Sequence, residues 1–269
     1  MDHIETKVLL FDAVLASIDA GKEILDVYEN SFEVEYKDDN SPLTIADKRS
    51  HRRIMQMLEE TGIPVLSEEG KALEYAERSK WGTMWIVDPL DGTKEFIKQN
   101  GEFTVNIALV EKGVPVLGVI YVPVDETLYF GSTEHGAYRV DGAAHLKDLD
   151  NIEDWMSKGV KLPESQERPY TMVGSRSHMS DETAAYFDDV RRDHPNAEII
   201  SKGSSLKICM VAEGSADVYP RFAPTMEWDT AAGHAIAKAA GFEIYQAKEE
   251  NKPLEYNKED LLNPWFIVK

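Results

Sequence analysis

One short segment constrains this chain more than any other, because an apolar strand in it ends directly in two acids. The segment is WIVDPLDGTKEF, residues 85–96, and its acids are Asp88 and Asp91. A plain turn after a strand needs one Asp or Asn and a glycine, so an Asx-turn followed by a helix N-cap accounts for one acid. The second acid has no role in such a turn. The segment therefore favours a site that uses both carboxylates.

The same turn offers ligands for a cation and for an anion. Asp88, Asp91 and the carbonyl of Leu90 can be aimed at one point, and hard oxygen ligands of this kind suit Mg²⁺. The amides of Gly92 and Thr93 suit a phosphate oxygen, because the positive end of the predicted helix dipole lies there. A divalent cation beside a phosphate is the chemistry that this turn favours.

Three further acids stand at strand ends or helix starts. Glu68 follows the short apolar strand IPVL, Asp229 precedes the helical sequence TAAGHAIAKAAG, and Asp47 lies in the first turn of a helix capped by Thr44. Taken singly, each has an ordinary structural explanation: a solvated turn, a helix N-cap and a first-turn acid favoured by the helix dipole. Taken together, they lie where α/β proteins form ligand sites.

The pattern along the chain predicts layers of helices and sheets. Amphipathic helices are expected over residues 2–30 and from Thr44 onward, and the charged run 71–80 is expected to be an exposed, mobile excursion. From Trp85 to about residue 140, short β-rich segments separated by turns predict a β-meander.

After a polar, proline-containing connection over residues 145–168, strands and helices alternate, which favours an α/β layer. We therefore expect two halves. Residues 1–145 form an α+β half with most of the candidate metal ligands, and residues 146–269 form an α/β half that contributes Asp229. The metal site is expected between them.

Charge and composition exclude several classes of protein. The chain has 49 acidic and 29 basic residues and a formal net charge of −20, which disfavours sequence-independent binding to nucleic acid. No apolar run approaches the roughly 20 residues of a membrane span, and no signal peptide is visible at the N-terminus. The single cysteine, Cys209, rules out an intramolecular disulfide and suits the cytoplasm. A small-molecule substrate is the partner that remains.

The acidic motifs resemble a known family. LSEE, WIVDPLDGTKEF and EWDTAAGHA, in this order, are similar to the inositol-monophosphatase superfamily of Mg²⁺-dependent, lithium-sensitive phosphatases, and the likeness covers nearly the whole chain. The segments DNSPLTIAD, GSRSH, GSSLK and LLNP narrow the resemblance to the bacterial 3′(2′),5′-bisphosphate nucleotidases. Those enzymes remove the 3′-phosphate from adenosine 3′,5′-bisphosphate, a by-product of sulfate activation. The resemblance implies an inositol-monophosphatase-like fold with alternating helix and sheet layers.

The resemblance also implies a centre with two or three Mg²⁺ ions. Glu68, Asp88 and the Leu90 carbonyl match the ligands of the first ion, and Asp88, Asp91 and Asp229 match those of the second. Such a pair of metals activates a water molecule and clamps the attacking and leaving oxygens.

The remaining site residues are likewise implied by the resemblance. Thr93 and Asp47 match the pair that orients and deprotonates the attacking water. The positions expected to bind substrate are Glu68, Leu90, Asp91, Gly92, Thr93, His178, Ser204, Lys207, Arg221 and Asp229. Among them, the lysine and the arginine would provide strong positive charge for a substrate with two phosphates.

Several alternatives stay open. An inositol or sugar monophosphate phosphatase of the same superfamily is the alternative enzyme, and the GSRSH and GSSLK segments favour the nucleotide over it. A catalytically dead nucleotide- or metal-sensing protein would lack part of the acidic set, which is complete here. A calcium-binding module is disfavoured because no loop has EF-hand spacing. The resemblance adds possible peripheral association with the cytoplasmic face of the inner membrane, and the sequence leaves the oligomeric state open.

Overall fold

The computed structural model describes residues 3–30, 34–36, 42–146, 148–165, 167–175, 180–249 and 251–269. The helices of this part of the chain are α1 His3–Tyr28, α2 Ile45–Leu58, α3 Tyr75–Arg78, α4 Thr93–Ile97, α5 Ile152–Lys158, α6 Asp181–Asp193, α7 Leu206–Glu213 and α8 Glu227–Ala239. Its strands are β1 Val34–Tyr36, β2 Pro42–Thr44, β3 Val65–Ser67, β4 Thr83–Asp91, β5 Thr104–Glu111, β6 Val114–Val122, β7 Thr127–Ser132, β8 Gly136–Val140, β9 Val160–Leu162, β10 Thr171–Ser175, β11 Glu198–Lys202, β12 Tyr219–Arg221, β13 Ile244–Gln246 and β14 Phe266–Val268.

A seven-stranded sheet forms the centre of the fold, in the order β3-β4-β5-β6-β7-β8-β9. Only β3 and β4 are parallel, and every other neighbouring pair in this sheet is antiparallel, as the predicted meander requires. Two smaller sheets belong to the second part of the chain: the parallel pair β10-β11 and the antiparallel set β12-β14-β13. The predicted β/α alternation is therefore present there, and β14 was not predicted.

Helices cover both faces of the central sheet. Along β4, Trp85 and Val87 join the core beneath α1 and α2, whereas Met84 and Ile86 join the core that includes α7 and α8. A strand that is buried on both faces explains the unbroken apolar run that precedes Asp88. The expected layered fold is thus confirmed.

The packing of α8 on the sheet depends on a missing side chain. Gly118 of β6 lies against the carbonyl of Ala232 on α8, and a Cβ at residue 118 would overlap that carbonyl. Glycine therefore sets how closely α8 approaches the sheet. This matters for the site, because Asp229 lies in the first turn of α8.

Two segments contain more regular structure than the sequence indicated. The charged run 71–80 contains α3, and its Arg78 is only 3% exposed, because the guanidinium donates hydrogen bonds to the Asn257 side chain and to the carbonyls of Lys258 and Glu259. The polar connection 145–168 contains α5 and β9, and β9 pairs with β8 in the central sheet. The division into halves at residue 145 stays a prediction. No helix of the described ranges is long and apolar enough to cross a membrane.

Candidate active site

A cavity of about 380 Å³ opens at the edge of the central sheet where β3 and β4 end. Because these two strands are parallel, with Ser67 opposite Val87, the residues that follow them emerge at the same edge. Glu68 is fixed there by a hydrogen bond from its amide to the carbonyl of Val87 (3.1 Å). The predicted residues that line the cavity are Glu68, Asp88, Leu90, Asp91, Gly92, Thr93, Ser204, Lys207, Arg221 and Asp229.

A bulge explains how two acids three residues apart serve one site. In a regular strand, Asp88 and Asp91 would point to opposite faces of the sheet. Here Asp88 pairs with Asn106 and Asp91 with Thr104, so two residues of β4 lie opposite one residue of β5. The extra residue shifts the alternation by one position and brings both carboxylates to the same cavity.

Neighbouring groups hold this bulge in place. The amide of Leu90 donates to Asp88 Oδ1 (3.1 Å), and the hydroxyl of Ser50 on α2 donates to the carbonyl of Pro89 (2.6 Å). Gly92 follows with φ 93°, a left-handed conformation that favours glycine, and it turns the chain into α4. The tail of β4 is therefore anchored to the helix that carries Asp47.

Asp88, Asp91 and Asp229 place carboxylate oxygens within 4.8 Å of one another. Burial, together with the charges of Glu68 and the other two aspartates, raises the pKa of Asp88 well above its usual range. Burial and the charge of Asp91 raise the pKa of Asp229 to about 8. Carboxylates this close repel one another unless a proton or a cation lies between them. The all-oxygen donor set and this crowding fit a hard divalent cation.

Asp47 and Thr93 form the predicted pair beside this cluster. The Thr93 hydroxyl donates to Asp47 Oδ1 over 3.3 Å and lies 3.5 Å from the Leu90 carbonyl. The other carboxylate oxygen of Asp47 accepts from the Thr44 amide and hydroxyl, both at 2.7 Å, in the capping box that begins α2. Asp47 is 2% exposed, and burial raises its pKa. The helix cap thus orients one oxygen of Asp47 toward Thr93.

Two basic side chains, Lys207 and Arg221, also line the cavity. Lys207, in the first turn of α7, is 6% exposed, donates to the Ser204 carbonyl and lies 5.5 Å from the centre of the Tyr219 ring. Burial lowers the pKa of Lys207 to about 8. Arg221 donates to the Pro224 carbonyl (3.1 Å), and its buried Nε has no hydrogen-bond partner in the described structure. The remaining predicted site residue, His178, lies outside the described residues.

Ser204 lines the cavity, and it also forms a hydrogen bond with one of the clustered acids. Its hydroxyl donates to Asp91 Oδ2 (2.6 Å) and contacts the Thr104 hydroxyl (2.7 Å). Thr104, Asn106 and Ser205 are all buried beneath it. The sequence analysis missed these three residues. The signal was available, because Thr104 and Asn106 are two polar residues on one face of an otherwise apolar strand.

The first turn of α8 is fixed by an ion pair whose carboxylate is buried. Glu227, two residues before Asp229, is fully buried and accepts from the Lys258 ammonium (2.6 Å) and from the amides of Asn257 (2.6 Å) and Lys258 (3.0 Å). The Arg78 guanidinium donates to the Asn257 side chain and to the Lys258 carbonyl in the same segment. These contacts determine where α8 places Asp229.

Known proteins are similar to this chain over nearly its whole length. The family model described as the inositol monophosphatase family matches residues 5–265. The 3′(2′),5′-bisphosphate nucleotidase CysQ of Salmonella typhimurium is 45% identical over 254 residues, which cover 93% of this chain and 94% of that protein. CysQ of Escherichia coli K12 is 44% identical over 254 residues, with the same coverage of both chains.

A solved structure is also similar. The crystal structure of CysQ from Bacteroides thetaiotaomicron, described as a bacterial member of the inositol monophosphatase family, has a TM-score of 0.91 and 57% sequence identity, and the match covers 98% of this chain and 97% of that one. Family model, relatives and solved structure agree over nearly the whole sequence. The chain belongs to the inositol monophosphatase family.

Proposed function

We propose that this protein is a Mg²⁺-dependent 3′(2′),5′-bisphosphate nucleotidase that converts adenosine 3′,5′-bisphosphate to AMP and phosphate. The observation that carries the proposal is one cavity that combines Asp88, Asp91 and Asp229, within 4.8 Å of one another, with Lys207 and Arg221. Relatives named as bisphosphate nucleotidases at 45% and 44% identity support the choice of substrate. Activity on 3′-phosphoadenylyl sulfate is proposed as a second reaction of the same site.

The residues that would hold two or three cations are Glu68, Asp88, Asp91, Asp229 and the carbonyl of Leu90. A divalent metal bound there would lower the pKa of a water molecule and would neutralise charge on the phosphate group that is cleaved. The carboxylate crowding described above supports this assignment, because a cation relieves the repulsion among these acids. Magnesium is favoured over softer metals by a donor set made of oxygen atoms alone.

The chain's own residues supply the proton path. Asp47 Oδ1 accepts the Thr93 hydroxyl proton, so the Thr93 oxygen can accept a proton from the attacking water. The raised pKa of Asp47 makes it a better proton acceptor than an exposed aspartate. The Thr44 hydrogen bonds keep its second oxygen occupied, so a single oxygen faces the reaction. General-base catalysis of this kind typically contributes about 10²–10⁴-fold in rate.

Lys207 and Arg221 would supply the specificity for a substrate with two phosphates. A bisphosphate nucleotide has a phosphate that is not cleaved, and a buried cation holds such a group by charge-assisted hydrogen bonds. Lys207 and the unpartnered Nε of Arg221 are the groups proposed for this contact. An inositol monophosphate has no second phosphate to offer, so it gains nothing from them. Lithium sensitivity and a place in sulfate activation come with the family resemblance and remain predictions.

Phosphate release from a substrate panel tests the proposal. The purified chain, stripped of metal and then supplied with Mg²⁺, is assayed on adenosine 3′,5′-bisphosphate, inositol 1-phosphate and fructose 1,6-bisphosphate. The highest kcat/KM is expected on the nucleotide, and no turnover is expected before metal is added. Higher kcat/KM on inositol 1-phosphate would support the monophosphatase alternative instead.

Asp91→Asn is the control variant for this assay. The amide has the shape of the carboxylate but lacks its charge, so the fold is retained while metal affinity and turnover fall. Wild-type kcat in this variant at saturating Mg²⁺ would contradict the metal assignment. Its melting temperature, measured alongside, distinguishes a damaged fold from a damaged site.

A further inference from the structure

Four polar side chains lie beside the acid Asp91: three of them are buried, and the fourth, Ser204, is half-buried in the cavity wall. Thr104 is fully buried, and its hydroxyl oxygen lies 2.7 Å from Ser204 Oγ, 2.8 Å from Ser205 Oγ and 2.9 Å from Asn106 Oδ1. Ser205 Oγ is also 2.9 Å from Asn106 Oδ1. We name these four residues, Thr104, Asn106, Ser204 and Ser205, the hydroxyl network. Two of its members donate to Asp91 Oδ2: Ser204 Oγ at 2.6 Å and Asn106 Nδ2 at 3.5 Å.

The number of hydroxyl protons determines which group donates in the main contacts of this network. Each hydroxyl has a single proton, and an ionised carboxylate accepts hydrogen bonds only. The Ser204 proton therefore goes to Asp91. The 2.7 Å contact between Ser204 and Thr104 then requires the Thr104 hydroxyl to donate. Ser205 has a proton left for Asn106 Oδ1, which accepts it at 2.9 Å. Ser204 Oγ and Asn106 Nδ2 therefore both donate to the same carboxylate oxygen, Asp91 Oδ2.

The backbone at Ser204 supports a specific role for this chain of donors. Ser204 has φ 50°, a conformation that costs free energy in a residue other than glycine. It lies between Gly203 and Ser205, and the Cβ that Gly92 lacks would lie 3.3 Å from Ser204 Cβ. The fold thus retains an unfavourable conformation that brings this hydroxyl to the carboxylate.

We propose that the hydroxyl network is a positioning device, which holds Asp91 in the orientation that binds the cation. Thr104 is the residue on which it depends, because its hydroxyl donates to Ser204 and so leaves the Ser204 proton for Asp91. Thr104 is a positioning residue and not a catalytic one, since it acts on the cation through Ser204. Groups that orient metal ligands typically change metal affinity by about 10–100-fold when they are removed. The inference rests on the proposed function only in taking Asp91 as a metal ligand.

Calorimetric titration of Mg²⁺ into the metal-stripped full chain tests this role. Thr104→Val keeps the shape of the side chain and removes the hydroxyl, and it is expected to weaken Mg²⁺ binding by about tenfold or more. Thr104→Ser restores the hydroxyl and is expected to bind Mg²⁺ nearly as the wild type does. A matched control is Thr171→Val in β10, which also removes the hydroxyl of a buried strand threonine, and there Mg²⁺ affinity should be unchanged.

A second variant keeps the test decisive if Thr104→Val does not fold. Ser204→Gly removes the last hydroxyl before Asp91 and suits the left-handed backbone, so it is expected to fold and to bind Mg²⁺ more weakly. Wild-type Mg²⁺ affinity in Thr104→Val, or in Ser204→Gly, would overturn the proposal. Equal weakening in Thr104→Ser and Thr104→Val would also overturn it, because the hydroxyl would then not be responsible.

The two proposals fail in different experiments. Mg²⁺ affinity of the metal-stripped chain involves no substrate, so a weakened Thr104→Val variant supports the positioning role even if the wild type releases no phosphate from adenosine 3′,5′-bisphosphate. Conversely, a wild type that is active on the nucleotide, with unchanged Mg²⁺ affinity in Thr104→Val, would leave the function standing and remove the positioning role.

Discussion

The hydroxyl of Thr93 lies 3.3 Å from one carboxylate oxygen of Asp47, while Thr44 holds the other oxygen from both its amide and its hydroxyl. The capping box at the start of α2 therefore also orients the Asp47 carboxylate toward Thr93. The two residues are 46 positions apart in sequence, and they meet because α2 and the tail of β4 are joined by the hydrogen bond from Ser50 to Pro89. This contact is the basis of the first prediction.

Thr93→Ala is expected to lower kcat by about 10²-fold or more with little change in KM. On the proposed mechanism the Thr93 hydroxyl relays a proton in the transition state, whereas any contact with substrate is made by the Thr93 amide, which alanine keeps. Steady-state kinetics on adenosine 3′,5′-bisphosphate at saturating Mg²⁺ measures both constants. Thr93→Ser keeps the hydroxyl and should retain most of the activity. A loss confined to KM would assign Thr93 to substrate binding instead.

Stability of the metal-free protein is expected to fall as pH rises from about 4 to about 8. The folded-state pKa of Asp229 is raised to about 8 from an ordinary value near 3.8. Between these values the folded chain binds a proton that the unfolded chain has released, so the free energy of unfolding decreases with pH. Asp88 acts in the same direction. Urea midpoints measured in EDTA at several pH values give the slope.

Two controls isolate the contribution of Asp229. Asp229→Asn cannot ionise, so its stability advantage over the wild type in EDTA should grow as pH rises across this window. Saturating Mg²⁺ should reduce the pH dependence of the wild type, since the cation replaces the proton among the acids. A wild type and Asp229→Asn whose midpoints stay parallel from pH 4 to 8 would show that this acid is not the cause.

Lys207→Met is expected to separate the nucleotidase from a monophosphatase. Methionine preserves packing against Tyr219 and removes the charge. Loss of a charge-assisted contact costs about 1.5–3 kcal/mol, or roughly ten- to a hundred-fold in kcat/KM on the bisphosphate. Activity on inositol 1-phosphate should change little. Lys112→Met, in the turn between β5 and β6, is the matched surface control.

Equal losses on the two substrates would mean that Lys207 acts on the phosphate that is cleaved, or on the fold itself. The nucleotide preference would then have to rest on Arg221 and Ser204 among the described residues. Melting temperatures of both lysine variants distinguish the first explanation from the second.

Glu227→Gln is expected to lower the free energy of unfolding by about 1–3 kcal/mol, because it removes the charge that a buried carboxylate presents to the Lys258 ammonium and to two amides. Glu153→Gln makes the same chemical change in the exposed pair with Lys7 and should cost less than about 1 kcal/mol. Denaturant unfolding of both variants gives the comparison. Equal costs would argue that the pair with Lys258 has no special role in holding α8.

Much of the fold and most of the acidic cluster could be predicted from local patterns. Asp88 and Asp91 were recognisable because a single turn has no use for two carboxylates. The turn also indicated that they face one point, but the bulge that brings them together was not predicted, since its partner residues lie in β5. Arg78 was misjudged because a run of charged residues ordinarily indicates a solvated surface, whereas three acceptors distant in sequence bury this one.

Long-range hydrogen bonding also limited what could be predicted about Ser204. The family resemblance implied that Ser204 contacts the substrate, and Ser204 does line the cavity. Its hydrogen bond to Asp91 joins residues 113 positions apart, and the sequence around Ser204 does not indicate a partner so distant along the chain. The sequence motifs therefore indicated which residues belong to the candidate site, whereas long-range contacts determined the neighbours of each side chain.

The carboxylates that converge here come from distant points of the polypeptide: Glu68 follows β3, Asp91 ends β4, and Asp229 arrives on α8 from the layer on the opposite face of the sheet. During synthesis on the ribosome, the central sheet emerges long before α8 does. A nascent or truncated chain that ends before α8 has the acids of β3 and β4 but lacks the third member of the close cluster. On the proposed mechanism, capacity to hydrolyse phosphate esters therefore arises late in translation and belongs to the completed chain.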